Sequence, residues 1–233
     1  MHRTVAILFA VLVGTLASAE RKWITPPEYP LYLLPYASVQ KDLQLSPAVV
    51  QKIAKVEADA RQRQLKMLSS IEAGKQVAPI PRDEAVAEMR THDATLVALL
   101  SASQRARLKE IGLQAEGING LVKPSMTKVL LLTPDQVTRL LQASRMRQME
   151  LRKLRADLIG NGHLSGKNPK ESANRLAAAQ AKSIRIMDSD AEKILTAKQV
   201  KRWKGMMGRV FPIETLFLPQ PLLSVKVRPG SHH

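Results

Sequence analysis

ASVQKDLQLSP, residues Ala37 to Pro47, aligns without a gap on PSMTKVLLLTP, residues Pro124 to Pro134, and that match governs how the rest of the chain is read. Ser38, Lys41, Leu43, Leu45 and Pro47 meet Ser125, Lys128, Leu130, Leu132 and Pro134, while Ser46 meets Thr133. A second pair, LLSASQRARLKEI from Leu99 and ILTAKQVKRWKGM from Ile194, aligns in the same way. Self-similarity of this kind marks a tandem duplication, with one unit at residues 37–121 and the next at 124–211.

Each unit carries two copies of one short signal: Leu, then Ser or Thr, then Gln three residues later. The sites are Leu45–Ser46, Leu100–Ser101 with Gln104, Leu132–Thr133 with Gln136, and Leu195–Thr196 with Gln199. The chemistry is that of a capping box. The hydroxyl accepts an orphan backbone N–H of a helix's first turn, and the glutamine side chain reaches back to the cap. Pro47 and Pro134 stand where proline's missing donor costs a helix nothing. The first site departs from the pattern, because Val49 stands where Gln would complete the box.

Helical periodicity follows each cap. Val49, Val50, Ile53, Val56, Ala60, Met67, Leu68 and Ile71 recur at three- and four-residue steps up to Gly74, and Val137, Leu140, Leu141, Ser144, Leu151, Leu154 and Leu158 do so up to Gly160. A return helix is predicted from Pro81 to Leu100 and another from Pro169 to Leu195, the latter capped at Asn168. Short closing helices are predicted from Ser101 to Glu116 and from Thr196 to Val210. The fold class is therefore all-α, two tandem helical-hairpin units of long helix, return helix and short closing helix. The Pro-rich flanks, residues 20–36 and 212–233, read as extended chain, docked where it is aromatic.

The beginning of the chain reads as an export signal. A short basic start (His2, Arg3) precedes an apolar run from Val5 to Val13 that extends through Leu16, and Ala17, Ser18 and Ala19 offer a cleavage site after Ala19. The run falls short of the roughly 20 residues that span a bilayer. A periplasmic or secreted product is expected, with no transmembrane segment after cleavage. The 233 residues contain no Cys, which excludes a thiolate metal site, a cysteine nucleophile and a disulfide scaffold.

At these residues the chain resembles the secreted LTxxQ-repeat helical proteins, the superfamily of the Spy- and CpxP-type periplasmic chaperones, and most closely a group of planctomycete secreted proteins. The phrases that carry the resemblance are SVQKDLQLS (Ser38 to Ser46) and LTAKQVKRWKGMMGRVF (Leu195 to Phe211). In the chaperone branch the resemblance implies a thin helical cradle, usually dimeric, that holds unfolded clients on a basic and apolar concave surface without ATP. A homodimer is accordingly among the expected forms. Two units in tandem and the Pro-rich flanks depart from that pattern.

Enzyme chemistry finds little support. GNGHLSGKNPK, Gly160 to Lys170, lacks both the first glycine and the final Ser/Thr of a phosphate-binding loop and reads as a turn. His92 and His163 stand alone, so no ligand pair at helical spacing exists, and His92 reads as a helix-surface or boundary residue. Met146 and Met149 could suggest a soft-metal site but read as packing residues. Asp188 and Asp190, two apart on a helix, point to different faces and suit no paired acid–base work. No catalytic residue, metal or cofactor is expected.

Charge remains. Against 20 Asp+Glu the chain has 36 Lys+Arg, a formal charge of +16. The long second-unit helix concentrates Arg139, Arg145, Arg147, Arg152, Lys153 and Arg155, and the closing helix adds Lys198, Lys201, Arg202 and Lys204. These ten cations are the candidate anion- or client-binding residues. Export argues against nucleic acid as the partner. The leading expectation is a non-enzymatic, chaperone-like binding protein for acidic or unfolded polypeptides. The alternative is a structural envelope protein bound to anionic lipid or polysaccharide.

Overall fold

The computed structural model describes residues 29–72, 82–160 and 169–217, and among them the chain is all-α, with no strand. The helices are α1 (Ala37–Asp42), α2 (Pro47–Glu72), α3 (Arg82–Ala98), α4 (Ala102–Glu116), α5 (Ile118–Leu121), α6 (Pro124–Leu130), α7 (Pro134–Gly160), α8 (Pro169–Ile194) and α9 (Ala197–Met207). α2 packs on α3, and α7 packs far more extensively on α8. The export signal and the Asn168 cap lie outside the described residues.

Local chemistry explains where the helices begin. Ser46, Ser101, Thr133 and Thr196 each place a hydroxyl on the backbone N–H three residues on, at 3.4, 3.2, 3.2 and 3.3 Å. At the last three sites the box is reciprocal, with Gln104, Gln136 and Gln199 accepting from the cap's own N–H at 2.9, 3.1 and 2.8 Å. The short helices α1 and α6, which no periodicity foretells, end alike. Gln44 and Leu131 adopt φ of 52° and 53°, and the N–H groups of Leu45 and Leu132 bond back to Gln40 and Thr127, each at 3.0 Å. This left-handed turn satisfies the carbonyls that a helix terminus leaves open.

The cap glutamines also join elements. Gln104 Nε2 donates to the Leu43 carbonyl at the end of α1 (3.1 Å), and Gln199 Nε2 donates to Leu130 and Leu131 at the end of α6 (3.2 and 3.3 Å). Only near α7 do two such amides meet: Gln136 Nε2 donates to Gln199 Oε1 at 2.8 Å, and Gln136 Oε1 accepts from Gln199 Nε2 at 3.1 Å. Since Val49 denies Gln104 such a partner, Gln199→Ala should destabilise the fold by about 2 kcal/mol and Gln104→Ala by about 1 kcal/mol. Urea unfolding of the two variants gives the comparison, and equal losses would contradict it.

Two apolar cores form. Leu34, Val39, Leu43, Ile53, Leu96, Leu100, Leu108 and Ile111 anchor the first; Ile118, Leu121, Leu130, Leu140, Ile184, Met187, Ala191, Leu195 and Trp203 build the second. Ile118 and Leu121, which the sequence match groups with the first unit, are buried in the second core. The chain changes cores at Gly117, where φ is +50°. The flanks also differ from expectation. Leu31–Leu33 forms a 3₁₀ turn that buries Leu31, Leu33 and Leu34 in the first core, while Tyr32 is 55% exposed. Tyr29 and Tyr36 also pack against this core, so two of the flank's three tyrosines dock as expected and only Tyr32 turns outward. Past α9, Phe211 and Leu216 return to the first core, the latter from a second 3₁₀ turn at Ile213–Leu216.

Polar contacts fasten that returning segment to α4. Gln114 Nε2 donates to Met207 and Arg209 carbonyls at 2.6 and 2.8 Å, and its Oε1 accepts from Phe211 N at 2.7 Å. Arg107 holds Asp42 with two bonds of 2.7 and 3.2 Å and donates to the Arg209 carbonyl at 2.8 Å. Hydrogen bonds from Arg107, and then from Arg209, keep the Asp42 carboxyl below the usual carboxylate range against the opposing effect of burial.

Candidate binding surfaces

α7 has a buried side and a charged side. Gln136, Leu140 and Ser144 are buried, with Arg147 and Leu151 continuing that face at the next turns. Arg145, Met146, Met149, Arg152 and Lys153 stand exposed. The packing role read for the two methionines is corrected: Met146 is 65% and Met149 67% exposed, because the core-facing residues recur at three- and four-residue steps out of phase with them.

The ten candidate cations divide. Arg147 is not free for a ligand. Its guanidinium bonds Asp190 Oδ2 on α8 at 3.3 and 3.0 Å and Glu150 at 2.9 Å, so it serves as a strut between α7 and α8. Burial works against the ionised Asp190, but the hydrogen bonds from Arg147 and Lys193 outweigh it and hold its carboxyl below the ordinary range. Lys204 pairs with Glu192 at 2.7 Å, and Arg139 lies 3.8 Å from Asp135 on its own helix. The Arg155 side chain lies outside the described residues. Arg145, Arg152, Lys153, Lys198, Lys201 and Arg202 remain exposed, and among the described residues none has an acidic group within 4.0 Å.

The last three of these line α9, which carries Lys198, Lys201 and Arg202 at helical spacing on the face opposite fully buried Trp203. Two exposed apolar residues that sequence reasoning passed over flank this helix. Leu131 is 77% exposed, and its carbonyl accepts from Gln199; Val210, just past the end of α9, is 86% exposed. Their exposure follows from the left-handed turn at Leu131 and the Gly208 turn with φ of +60°, neither of which hydrophobic periodicity reports.

Comparison with family models, with curated proteins and with solved structures finds no match.

Among the described residues no group of three or more His, Asp or Glu is placed to hold a metal ion, and no helix is long and apolar enough to cross a membrane. An open groove between α2 and α3 is lined by Val56, Asp59, Arg63, Glu88, Thr91, His92 and Thr95. Its two threonine hydroxyls donate to carbonyls of their own helix, at Ala87 and Thr91, and Arg63 pairs with Glu88 at 2.8 Å. His92 sits at the boundary between the helices, 3.8 Å from Glu57 and 3.5 Å from Asp93. Asp188 and Asp190 do diverge: Asp190 meets Arg147, whereas Asp188 Oδ1 is buried with no hydrogen-bond partner.

Proposed function

We propose that the chain is an exported, non-enzymatic protein of the LTxxQ-repeat kind, two hairpin units in tandem, which holds acidic or partly unfolded polypeptides on its basic and apolar helix faces. The observation that carries this reading is the outer face of α7, where Arg145, Arg152 and Lys153, with no acidic group within 4.0 Å among the described residues, flank the exposed thioethers of Met146 and Met149. Methionine adapts its shape to dissimilar apolar partners, and the cations select acidic sequence and raise the encounter rate. Long-range attraction of this kind is screened by salt over about 8–10 Å.

A denatured exported client, kept at low salt, provides the test. The native chain should suppress its aggregation at stoichiometric amounts, and the variant Arg145→Gln/Met146→Ser/Met149→Ser/Arg152→Gln/Lys153→Gln should lose most of that suppression without unfolding. Raising the salt should weaken the native protein toward the variant. Absence of suppression by the native chain at low salt would end this reading.

A further inference from the structure

The α9 surface differs in kind from that of α7 and fits a different partner. Between Ala197 and Met207 there is no acidic residue, and Lys198, Lys201 and Arg202 fall at i, i+3 and i+4, which places them on one face. Gly205 continues that face, and a Cβ built there would meet nothing within 4 Å, so the stripe opens directly onto solvent. The opposite face is anchored by Trp203 in the second core and the helix start is locked by the Thr196–Gln199 capping box, so the cations are presented in a fixed orientation.

Purely electrostatic binding makes no use of apolar side chains, and two stand exposed at the ends of this helix. Among the described residues, Val210 and Leu131 are the most exposed large apolar side chains, and they stand at opposite ends of the same helix. Lone exposed apolar side chains are ordinary on a protein surface. Two at the ends of a helix whose Lys198, Lys201 and Arg202 have no acidic group within 4.0 Å among the described residues fit an interfacial element, in which charge meets headgroup phosphates and apolar side chains enter the boundary of the acyl region. A soluble anionic polysaccharide would satisfy the cations and offer nothing to Leu131 or Val210.

We infer that α9, with Leu131 and Val210 at its ends, docks the protein on the surface of a bilayer rich in anionic phospholipid. The docking is peripheral, and it leaves the α7 face to act independently.

Sedimentation of the full chain with vesicles of equimolar phosphatidylglycerol and phosphatidylcholine tests the proposal. The apolar leader is present in every variant, and vesicles of phosphatidylcholine alone report its share. At about a fivefold loss per charge, Lys198→Gln/Lys201→Gln/Arg202→Gln should weaken the anionic component by about 100-fold at low salt. Leu131→Ser/Val210→Ser should also weaken it, while leaving binding to soluble dextran sulfate unchanged. The α7 variant described above should bind these vesicles like the native chain, so loss of client holding and loss of lipid binding are separable. Native-like vesicle binding by the charge variant overturns the proposal. So does a Leu131/Val210 variant that binds vesicles as the native chain does, which would make the occupant a generic polyanion.

Discussion

Trp203→Ala is expected to destabilise the fold by about 3–5 kcal/mol, the range for removing a large aromatic side chain from a packed core. Trp203 is fully buried among Leu130, Leu140, Ile184 and Leu195 of the second core. Its aligned counterpart, Leu108, is also fully buried in the first core. The indole Nε1 has no hydrogen-bond partner among the described residues, so the contribution of this side chain is one of volume and apolar contact. Trp203→Leu should therefore cost roughly half as much, because only part of the cavity is created and no hydrogen bond is lost. Urea unfolding followed by circular dichroism compares the two. Should Trp203→Ala cost as little as Trp203→Leu, α9 would not be held by this side chain, and the fixed orientation of its cationic face would lose its basis.

What could be read from the sequence was whatever is decided within a few residues. Proline at the first helical position and hydroxyls at the caps locate the starts of α2, α4, α7 and α9, and the periodicity carries α3 and α8 to within two residues of their observed ends. α1 and α6 are too short to show a period, and their left-handed ends use Gln44 and Leu131 in place of the glycine that signals such turns. The binding surface was only partly legible. Of ten candidates, six cations have no acidic group within 4.0 Å among the described residues, because Arg147 met Asp190 and Lys204 met Glu192 on a neighbouring helix, Arg139 lies near Asp135 on its own, and the Arg155 side chain lies outside the described residues. The exposure of Met146 and Met149 could have been found by extending the step from Gln136 through Leu140 and Ser144 to Leu151, which leaves both on the far side.

The alignment also predicts a symmetry that the structure keeps in some places and breaks in others, and the breaks have causes. Ile53 and Leu140, Leu100 and Leu195, and Leu108 and Trp203 are buried pairwise at matching positions. The first core nevertheless recruits Leu31, Leu33 and Leu34 from one flank and Phe211 and Leu216 from the other. Its α2–α3 pair packs less closely than α7 on α8, where Ala177, Ala181 and Ala191 are buried and let the helices approach. Apolar surface that the first pair leaves uncovered is covered instead by flanking chain, from Leu31, Leu33 and Leu34 on one side and Phe211 and Leu216 on the other.

Asp188→Asn should raise the stability of the protein at about pH 8 by about 1–3 kcal/mol and change it little near pH 4. Burial pushes the Asp188 carboxyl up to about 7; Glu192, one turn further along α8, adds to the shift, and Lys204 only partly opposes it. That ammonium is already engaged by Glu192 at 2.7 Å. Relief by rearrangement is limited on the other side as well. A Cβ at Gly117 would lie 2.9 Å from Asp188 Oδ1, so the carboxylate is wedged against the turn where the chain passes between its two cores. The folded state therefore binds this proton more tightly than the unfolded chain, whose carboxyl titrates near the usual value of about 3.9. Stability falls as pH rises across the interval between the two values, and the full loss is present above the folded value of about 7. Partial exposure screens the group, which keeps the expected gain below the full linkage value. Melting temperatures of native and variant protein should converge near pH 4 and separate above pH 7. Glu192→Gln should narrow that separation, since it removes the like charge and releases Lys204 to pair with Asp188. A gap between native and Asp188→Asn that stays constant across this range would mean that the substitution acts through shape and hydrogen bonding, and that Asp188 is not the titrating group at the Gly117 turn.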